Sequence, residues 1–281
     1  MPWRNWTAED AASWIASPGP GDDKYRRGVL GVITGSHDYP GAAVLGVEAA
    51  HRAGVGMVRY TGPRATSAAV LARRPETVLG TGRVQAWLIG SGMDADRRSF
   101  MLTGELSHAL ASGLPVVLDA GALDLVGVHT GPTVITPHHR ELRRLLTGRE
   151  IDAPLESIER DPGAWAERTA HELGVAVLLK GATTHVADPA GNRYVVEAPT
   201  HWLATAGTGD VLGGILGALL ATHHDALAAD ATVVTSLAAS AAVVHGLAGR
   251  AASEARGDGP ITALDVADAV PAVVGALLRS R

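Results

Sequence analysis

In "HWLATAGTGDVLGGILGALLA", residues 201–221, a glycine-rich turn and one aspartate stand directly ahead of an apolar run. Val211, Leu212, Ile215, Leu216, Leu219 and Leu220 form a two-wide stripe recurring every four residues. That spacing predicts a buried helix beginning at about Thr208. Gly207 and Gly209 permit backbone angles that aim unpaired N–H groups at one point, so Gly207, Thr208 and Gly209 form a candidate anion hole at the helix N-terminus. A carboxylate at Asp210 is electrostatically awkward beside a bound anion unless it has chemical work to do. The plain alternative is that Thr208 or Asp210 caps a core helix. Gly213, Gly214 and Gly217 each cost helix propensity, which predicts that another element packs closely against the first turns.

Two further places carry charge where a ligand could meet it. Lys180 ends the apolar run "VAVLL" and precedes Gly181, so its ammonium emerges at a strand end, either to balance phosphates or to reach water. His138 and Glu141 open the helix that follows "ITP", where an acid in the first turn also serves the helix dipole. Adjacent histidines, His138–His139 and His223–His224, point to different helix faces, and the twelve histidines show no zinc spacing.

The elements that must hold these residues alternate. "VLGVIT" (29–34), "GMVRYTG" (56–62), "AWLIG" (86–90), "PVVLDAG" (115–121) and "PTVITP" (132–137) read as strands. Helices are expected at 42–54, about 95–112 and 138–146, then roughly 225–250 and 262–278. "GVAVLLKG" (174–181), "THVADP" (184–189) and "NRYVVEAP" (192–199) lie close together, and "DPAGN" predicts an antiparallel hairpin at the sheet edge. Strand–helix alternation implies a mostly parallel sheet covered on both faces. The loops gather at the carboxyl ends of such strands, where ligands bind. Here they read "TGSHDYPGA", "IGSGMDAD", "LDAGALD", "TPHHRE", "LKGATTH" and "TAGTGD". We expect one α/β domain over 1–281, with a short helix and connection in 1–27.

Composition removes several function classes. Net charge is −5 and no Lys/Arg stripe occurs, which disfavours nucleic acid as a partner. Cysteine is absent, so disulfides and thiolate catalysis are excluded. The N-terminus is acidic and lacks a long apolar core, unlike a signal peptide, and the uncharged apolar stretches are shorter than a membrane span; a cytoplasmic chain with no membrane partner is expected. "TGSHDYPG" after the first long strand lacks the dinucleotide glycine fingerprint, which disfavours a dehydrogenase.

Taken together, "GSHDYPGAAVLGVEAAHRAGVGMV", "TPHHREL", "LLKGATT" and "TAGTGDVLGGILGALLA" resemble the ADP/ATP-dependent NAD(P)H-hydrate dehydratases of the ribokinase-like superfamily, over about residues 25–280. The resemblance implies a ribokinase-like three-layer α/β/α fold. It implies repair of hydrated NADH or NADPH: the ring hydroxyl is phosphorylated from ADP, or from ATP, and phosphate then leaves. Asp210 would accept the hydroxyl proton as the Gly207–Gly209 amides hold the developing charge; the helix N-terminus is expected to keep Asp210 ionised. Lys180, Gly181, Ala182, Thr183, Thr184 and Gly209 would contact nucleotide. Tyr39, Gly41, Ala42, Gly92, Asp119, His138 and Asp210 would face the hydrate. Glu141 would organise Mg²⁺ and its waters. The chain departs from the family at Ser91, which replaces the proline of a Gly-Pro-Gly turn, and at Gly121, where a second acid is common. The family's habits imply a homotetramer, and a separate epimerase is expected to supply the correct epimer. Two competing readings are a kinase of a small hydroxylated metabolite or vitamin precursor, which would release a stable phosphate ester, and a non-catalytic dinucleotide sensor, which would have no use for Asp210 or Lys180.

Overall fold

The apolar runs pair into one sheet whose strands, in chain order, are β1 (Arg4–Asn5), β2 (Val29–Ile33), β3 (Met57–Tyr60), β4 (Val78–Leu79), β5 (Ala86–Ile89), β6 (Val116–Leu118), β7 (Thr133–Ile135), β8 (Ala176–Leu179), β9 (Thr183–Ala187) and β10 (Arg193–Glu197). The structure is a computed structural model describing residues 2–281. The order across the sheet is β1-β10-β9-β8-β7-β6-β5-β2-β3-β4. From β4 to β8 every pairing is parallel, whereas β9 is antiparallel to both β8 and β10. The expected edge hairpin is therefore present, and the two-residue β1 covers it by pairing parallel to β10.

Strand side chains alternate between two cores, as a pleat of period two requires. Leu30, Leu88, Val117 and Leu178 join one cluster, and Ile33, Ile89, Leu118 and Leu179 join the other. The first is covered by helices including Pro40–Arg52, Thr208–Thr222, Val233–Glu254 and Ala263–Arg279. The second is covered by Phe100–Leu110, His139–Thr147, Leu155–Arg160 and Pro162–Leu173.

The glycines of the helix Thr208–Thr222 mark the close packing their presence predicts. A Cβ at Gly214 would lie 2.3 Å from the carbonyl oxygen of Gly46, and one at Gly217 would lie 2.9 Å from Leu30 Cδ2. Backbone thus meets backbone where this helix crosses Pro40–Arg52. A second tie is ionic: Glu48, fully buried, accepts from Arg52 Nε at 2.6 Å, Arg73 Nη2 at 3.1 Å and Arg74 Nη2 at 2.6 Å. Arg52 also reaches Asp268 on the helix Ala263–Arg279, at 2.6 Å. Burial alone would raise the Glu48 pKa, but the hydrogen bonds from Arg74, Arg52 and Arg73 outweigh it and hold it at about 2.

Several elements differ from expectation. The helix expected at 42–54 starts earlier, with Pro40 in its first turn, and ends at Arg52. The segment about 95–112 divides into a 3₁₀ turn, Ala95–Arg97, and the helix Phe100–Leu110, because Ser99 caps the latter by accepting from the Leu102 amide. The segment 225–250 divides at Asp230, whose carboxylate accepts from the Thr232 amide and closes a turn between His224–Ala229 and Val233–Glu254. Val233–Glu254 is also long and apolar enough to cross a membrane, contrary to the reading of the apolar stretches, and 72% of its apolar window is buried inside the protein.

Candidate active site

β2, β5, β6, β7, β8 and β10 all run the same way, so the six polar and glycine-rich loops converge on one edge of the sheet. At that edge Gly207 is the helix N-cap, with φ of 89°, and a Cβ there would lie 2.5 Å from Leu45 Cδ1. Thr208 Oγ1 donates to the carbonyls of Leu203 (2.8 Å) and Thr205 (2.9 Å), which fastens the turn. No side chain caps this helix. Asp210 occupies the third helical position, and neither it nor Thr208 serves as the cap; the Thr208 amide donates to the Thr205 carbonyl at 3.3 Å, which leaves the Gly209 and Asp210 amides to meet an anion. Gly209 departs from expectation: it lies inside the helix rather than at positive φ. A Cβ there would stand 3.6 Å from Lys180 Nζ, an ordinary contact distance.

Lys180 is the centre of the charge cluster. Its amide donates to the Pro137 carbonyl at 2.8 Å, continuing the sheet beyond β8. Its Nζ donates to Asp119 Oδ1 at 2.8 Å and lies 3.8 Å from Glu141 Oε2. Asp119 is buried and also accepts from Thr136 Oγ1 at 2.8 Å. Burial would lower the Lys180 pKa, but Asp119, Glu141 and Asp210 raise it overall, so the ammonium stays charged.

The Asp210 pKa is pushed up to about 6, chiefly by burial and then by the charge of Asp119; a hydrogen bond from Ser91 and the Lys180 ammonium oppose the shift. This corrects the expectation that the helix N-terminus sets its protonation: desolvation is the larger effect here. Above pH 6 the carboxylate is still mostly ionised.

The glycine turn beneath Asp210 is shaped by contact. Gly90 (φ 116°) leaves no room for a Cβ, which would lie 2.1 Å from the Asp119 carbonyl oxygen. A Cβ at Gly92 (φ 70°) would meet Ala42 Cβ at 2.7 Å and the Tyr39 carbonyl at 2.9 Å, so the start of the helix Pro40–Arg52 sits on this turn. Tyr39 is exposed, and Gly41 has open space around it. Gly121 cannot carry the acid common in the family, because a Cβ would lie 2.2 Å from the Met93 carbonyl.

His138 and Glu141 form a capping box. His138 Nδ1 accepts from the Arg140 and Glu141 amides at 3.2 Å each, while Glu141 Oε2 accepts from the His138 amide at 2.8 Å. The helix end thus engages one side of each group, and His138 Nε2 remains free of a hydrogen-bond partner, 3.6 Å from Glu141 Oε1.

Two cavities meet this cluster. One, of about 390 Å³, is mostly apolar and lined by Lys180, Gly181, Ala182, Thr184, Thr208 and Gly209, with Leu203, Leu212 and His245 behind them. Thr183 is not among its lining residues and pairs instead with Glu197 in the sheet. The other, of about 830 Å³, takes in Tyr39, Met93, Gly121 and Glu141 and extends past Arg144 to Arg149. Sequence reasoning missed two groups here. Ser91 was read only as a substitute for proline, and its hydroxyl has no sequence signal. His245 sits in an Ala-rich helix without a motif; burial pushes its pKa down to about 4 against a hydrogen bond to the Thr208 backbone. Among the described residues no group of three or more His, Asp or Glu could hold a metal ion.

Comparison with known proteins bears on this arrangement. Residues 30–272 match the family model described as NAD(P)H-hydrate dehydratase. The bifunctional NAD(P)H-hydrate repair enzyme Nnr of Mycobacterium tuberculosis is 44% identical over 227 residues, covering 76% of this chain and 45% of that protein. The ADP-dependent (S)-NAD(P)H-hydrate dehydratase of Neisseria meningitidis is 35% identical over 213 residues, 69% of each chain. A Bacillus subtilis ADP/ATP-dependent NAD(P)H-hydrate dehydratase, co-crystallised with ATP and Mg²⁺, superposes with a TM-score of 0.84 at 25% identity, covering 99% of both chains. The fold is accordingly the ribokinase-like α/β/α arrangement expected from the sequence. The chain spans about half the length of the bifunctional relative.

Proposed function

The chain belongs to the NAD(P)H-hydrate dehydratase family, and on that premise we propose that it restores NADH and NADPH from their (S)-hydrates, using ADP as phosphoryl donor. The observation that carries the proposal is Asp210: a carboxylate beside an uncapped helix N-terminus and close to the Lys180 ammonium. Asp210 takes the proton of the ring hydroxyl as that oxygen attacks the terminal phosphorus of the nucleotide. The amides of the Gly207–Gly209 turn and Lys180 stabilise the charge on the transferring group. Phosphate then leaves the ring with the former hydroxyl oxygen as the adjacent ring carbon gives up a proton to solvent, the C–H electron pair restores the ring double bond, and AMP and inorganic phosphate are the other products.

The donor set also fits Mg²⁺, which keeps several waters and takes one or two carboxylates with nucleotide phosphates. Glu141, facing Lys180 across 3.8 Å, would hold it through water. Bound there, the ion would neutralise phosphate charge. The 390 Å³ cavity beside Lys180 and Gly209 suits the nucleoside of the donor, and the 830 Å³ cavity suits the dinucleotide. We extend the proposal to a homotetramer, to be checked by light scattering, and to functional pairing with a separate epimerase that supplies the (S)-hydrate.

The test mixes protein, Mg²⁺, ADP and hydrated NADH and follows absorbance in the reduced-nicotinamide band together with AMP. Equal recovery of NADH and AMP is expected. A stable phosphorylated product without NADH would make the protein a kinase, and no turnover with either nucleotide would defeat the catalytic reading.

A further inference from the structure

The 830 Å³ cavity follows the helix His139–Thr147 from Glu141, next to Lys180, to Gly148 and Arg149 beyond its last turn. At about 1.5 Å per residue, that path carries the cavity roughly 10 Å away from the reacting groups. Charges along it are unevenly matched. Among its lining carboxylates Asp124 is engaged by Arg98, through Nη1 at 2.7 Å, whereas Asp96 has no cation within ion-pair distance among the described residues. Asp94 accepts from the Asp96 amide at 3.1 Å, and Glu141 from the His138 amide at 2.8 Å. Arg144 and Arg149 have no carboxylate within ion-pair distance among the described residues. Arg149 is nevertheless held in place, because its Nη2 donates to the Val126 carbonyl at 2.6 Å. A guanidinium fixed by a neutral carbonyl keeps its charge and its other N–H groups for an anion. Arg144, on the preceding turn, lines the same cavity.

We infer that Arg144 and Arg149 form a subsite for a phosphate group of the dinucleotide, remote from the transferred phosphoryl. The inference rests on the proposed hydrate substrate. The hydrate carries a pyrophosphate in both forms and a 2′-phosphate in the NADPH form alone, so the two substrates distinguish which group is held.

The test measures kcat and KM for both hydrates, and for ADP, in the wild type, R144Q, R149Q and R149K. Loss of a charge-assisted contact to phosphate should raise the hydrate KM about ten-fold or more, with kcat and the ADP KM little changed. A rise for both hydrates assigns the pyrophosphate, and a rise for NADPH hydrate alone assigns the 2′-phosphate. R149K keeps a donor for the Val126 carbonyl, which separates lost phosphate contact from a disturbed loop. Titration with NADPH itself, read by nicotinamide fluorescence, gives a second measurement independent of turnover, and the arginine variants should bind it more weakly. Wild-type turnover with both hydrate KM values within two-fold in R144Q and R149Q overturns the subsite. An inactive wild type that still binds NADPH through these arginines overturns the proposed reaction and leaves the subsite standing.

Discussion

Lys180 Nζ and Asp119 Oδ1 stand 2.8 Å apart in the interior of the site, so the positive charge at the 390 Å³ cavity is anchored by a carboxylate from the end of β6, two strands away across β7. Lys180→Ala should weaken ADP binding more than hydrate binding, because a charge-assisted contact to phosphate is lost while the dinucleotide loops remain. Calorimetric titration of both ligands checks this. Unchanged ADP affinity would remove Lys180 from the nucleotide site.

Asp210→Asn is nearly isosteric and disturbs no cap, since Gly207 is the cap residue. A structural role alone therefore predicts an active protein. The proton-acceptor role predicts a fall in kcat of roughly 10² to 10⁴, with ADP and hydrate binding retained. Single-turnover rates measured beside dissociation constants separate the two.

The raised Asp210 pKa gives the activity an acid limb. The proton acceptor works ionised, so kcat should climb with pH through a midpoint near 6 and level off above it. The Ser91 hydrogen bond favours the ionised form. Ser91→Ala should move the midpoint upward, while a hydroxyl irrelevant to Asp210 would leave the kcat–pH profile where it was.

Gly209→Val should abolish turnover without unfolding the chain. Gly209 is helical, so no backbone strain is expected; the branched side chain would instead occupy the space in front of Lys180 Nζ, only 3.6 Å from the new Cβ. Near-normal turnover in a variant with wild-type circular dichroism would place the phosphate elsewhere.

Glu48→Gln tests the stability of the frame. Removing the carboxylate leaves three arginines around a fully buried position, and because those arginines are partly solvated a loss of about 2 to 4 kcal/mol is expected from chemical denaturation. The pH dependence has a defined sign. Glu48 titrates lower folded than unfolded, so its contribution is complete above about 4.5 and is lost as pH falls toward 2. A variant as stable as wild type at pH 7 would show the cluster to be neutral.

The strands and the helix Thr208–Thr222 were legible because their apolar spacing is imposed by burial on two sheet faces. Asp210, Lys180 and Asp119 were legible because each follows a strand or opens a helix at the same sheet edge. What stayed hidden depends on partners distant in sequence. The Ser91–Asp210 hydrogen bond joins residues 119 positions apart, and nothing in "GSG" reports it. The break at Asp230 is a local turn inside an apolar stretch, and the break at Ser99 is a local cap directly behind the charged run 94–98. Gly209 was misread because a glycine in ordinary helical conformation and a glycine kept for positive φ look alike in a sequence.

The seam where Gly214 meets the Gly46 carbonyl sets how the site can move. Gly46 also lies under Asp210, whose carbonyl oxygen would be 3.6 Å from a Cβ added at Gly46. Backbones this close cannot slide past each other by a fraction of a turn without colliding. Tyr39 and Ala42, at the head of one helix, and Asp210, at the head of the other, therefore ride on a common rigid body. Ligand entry and product exit fall to the surrounding loops, and the distance between Asp210 and the head of the helix Pro40–Arg52 is fixed before any ligand arrives.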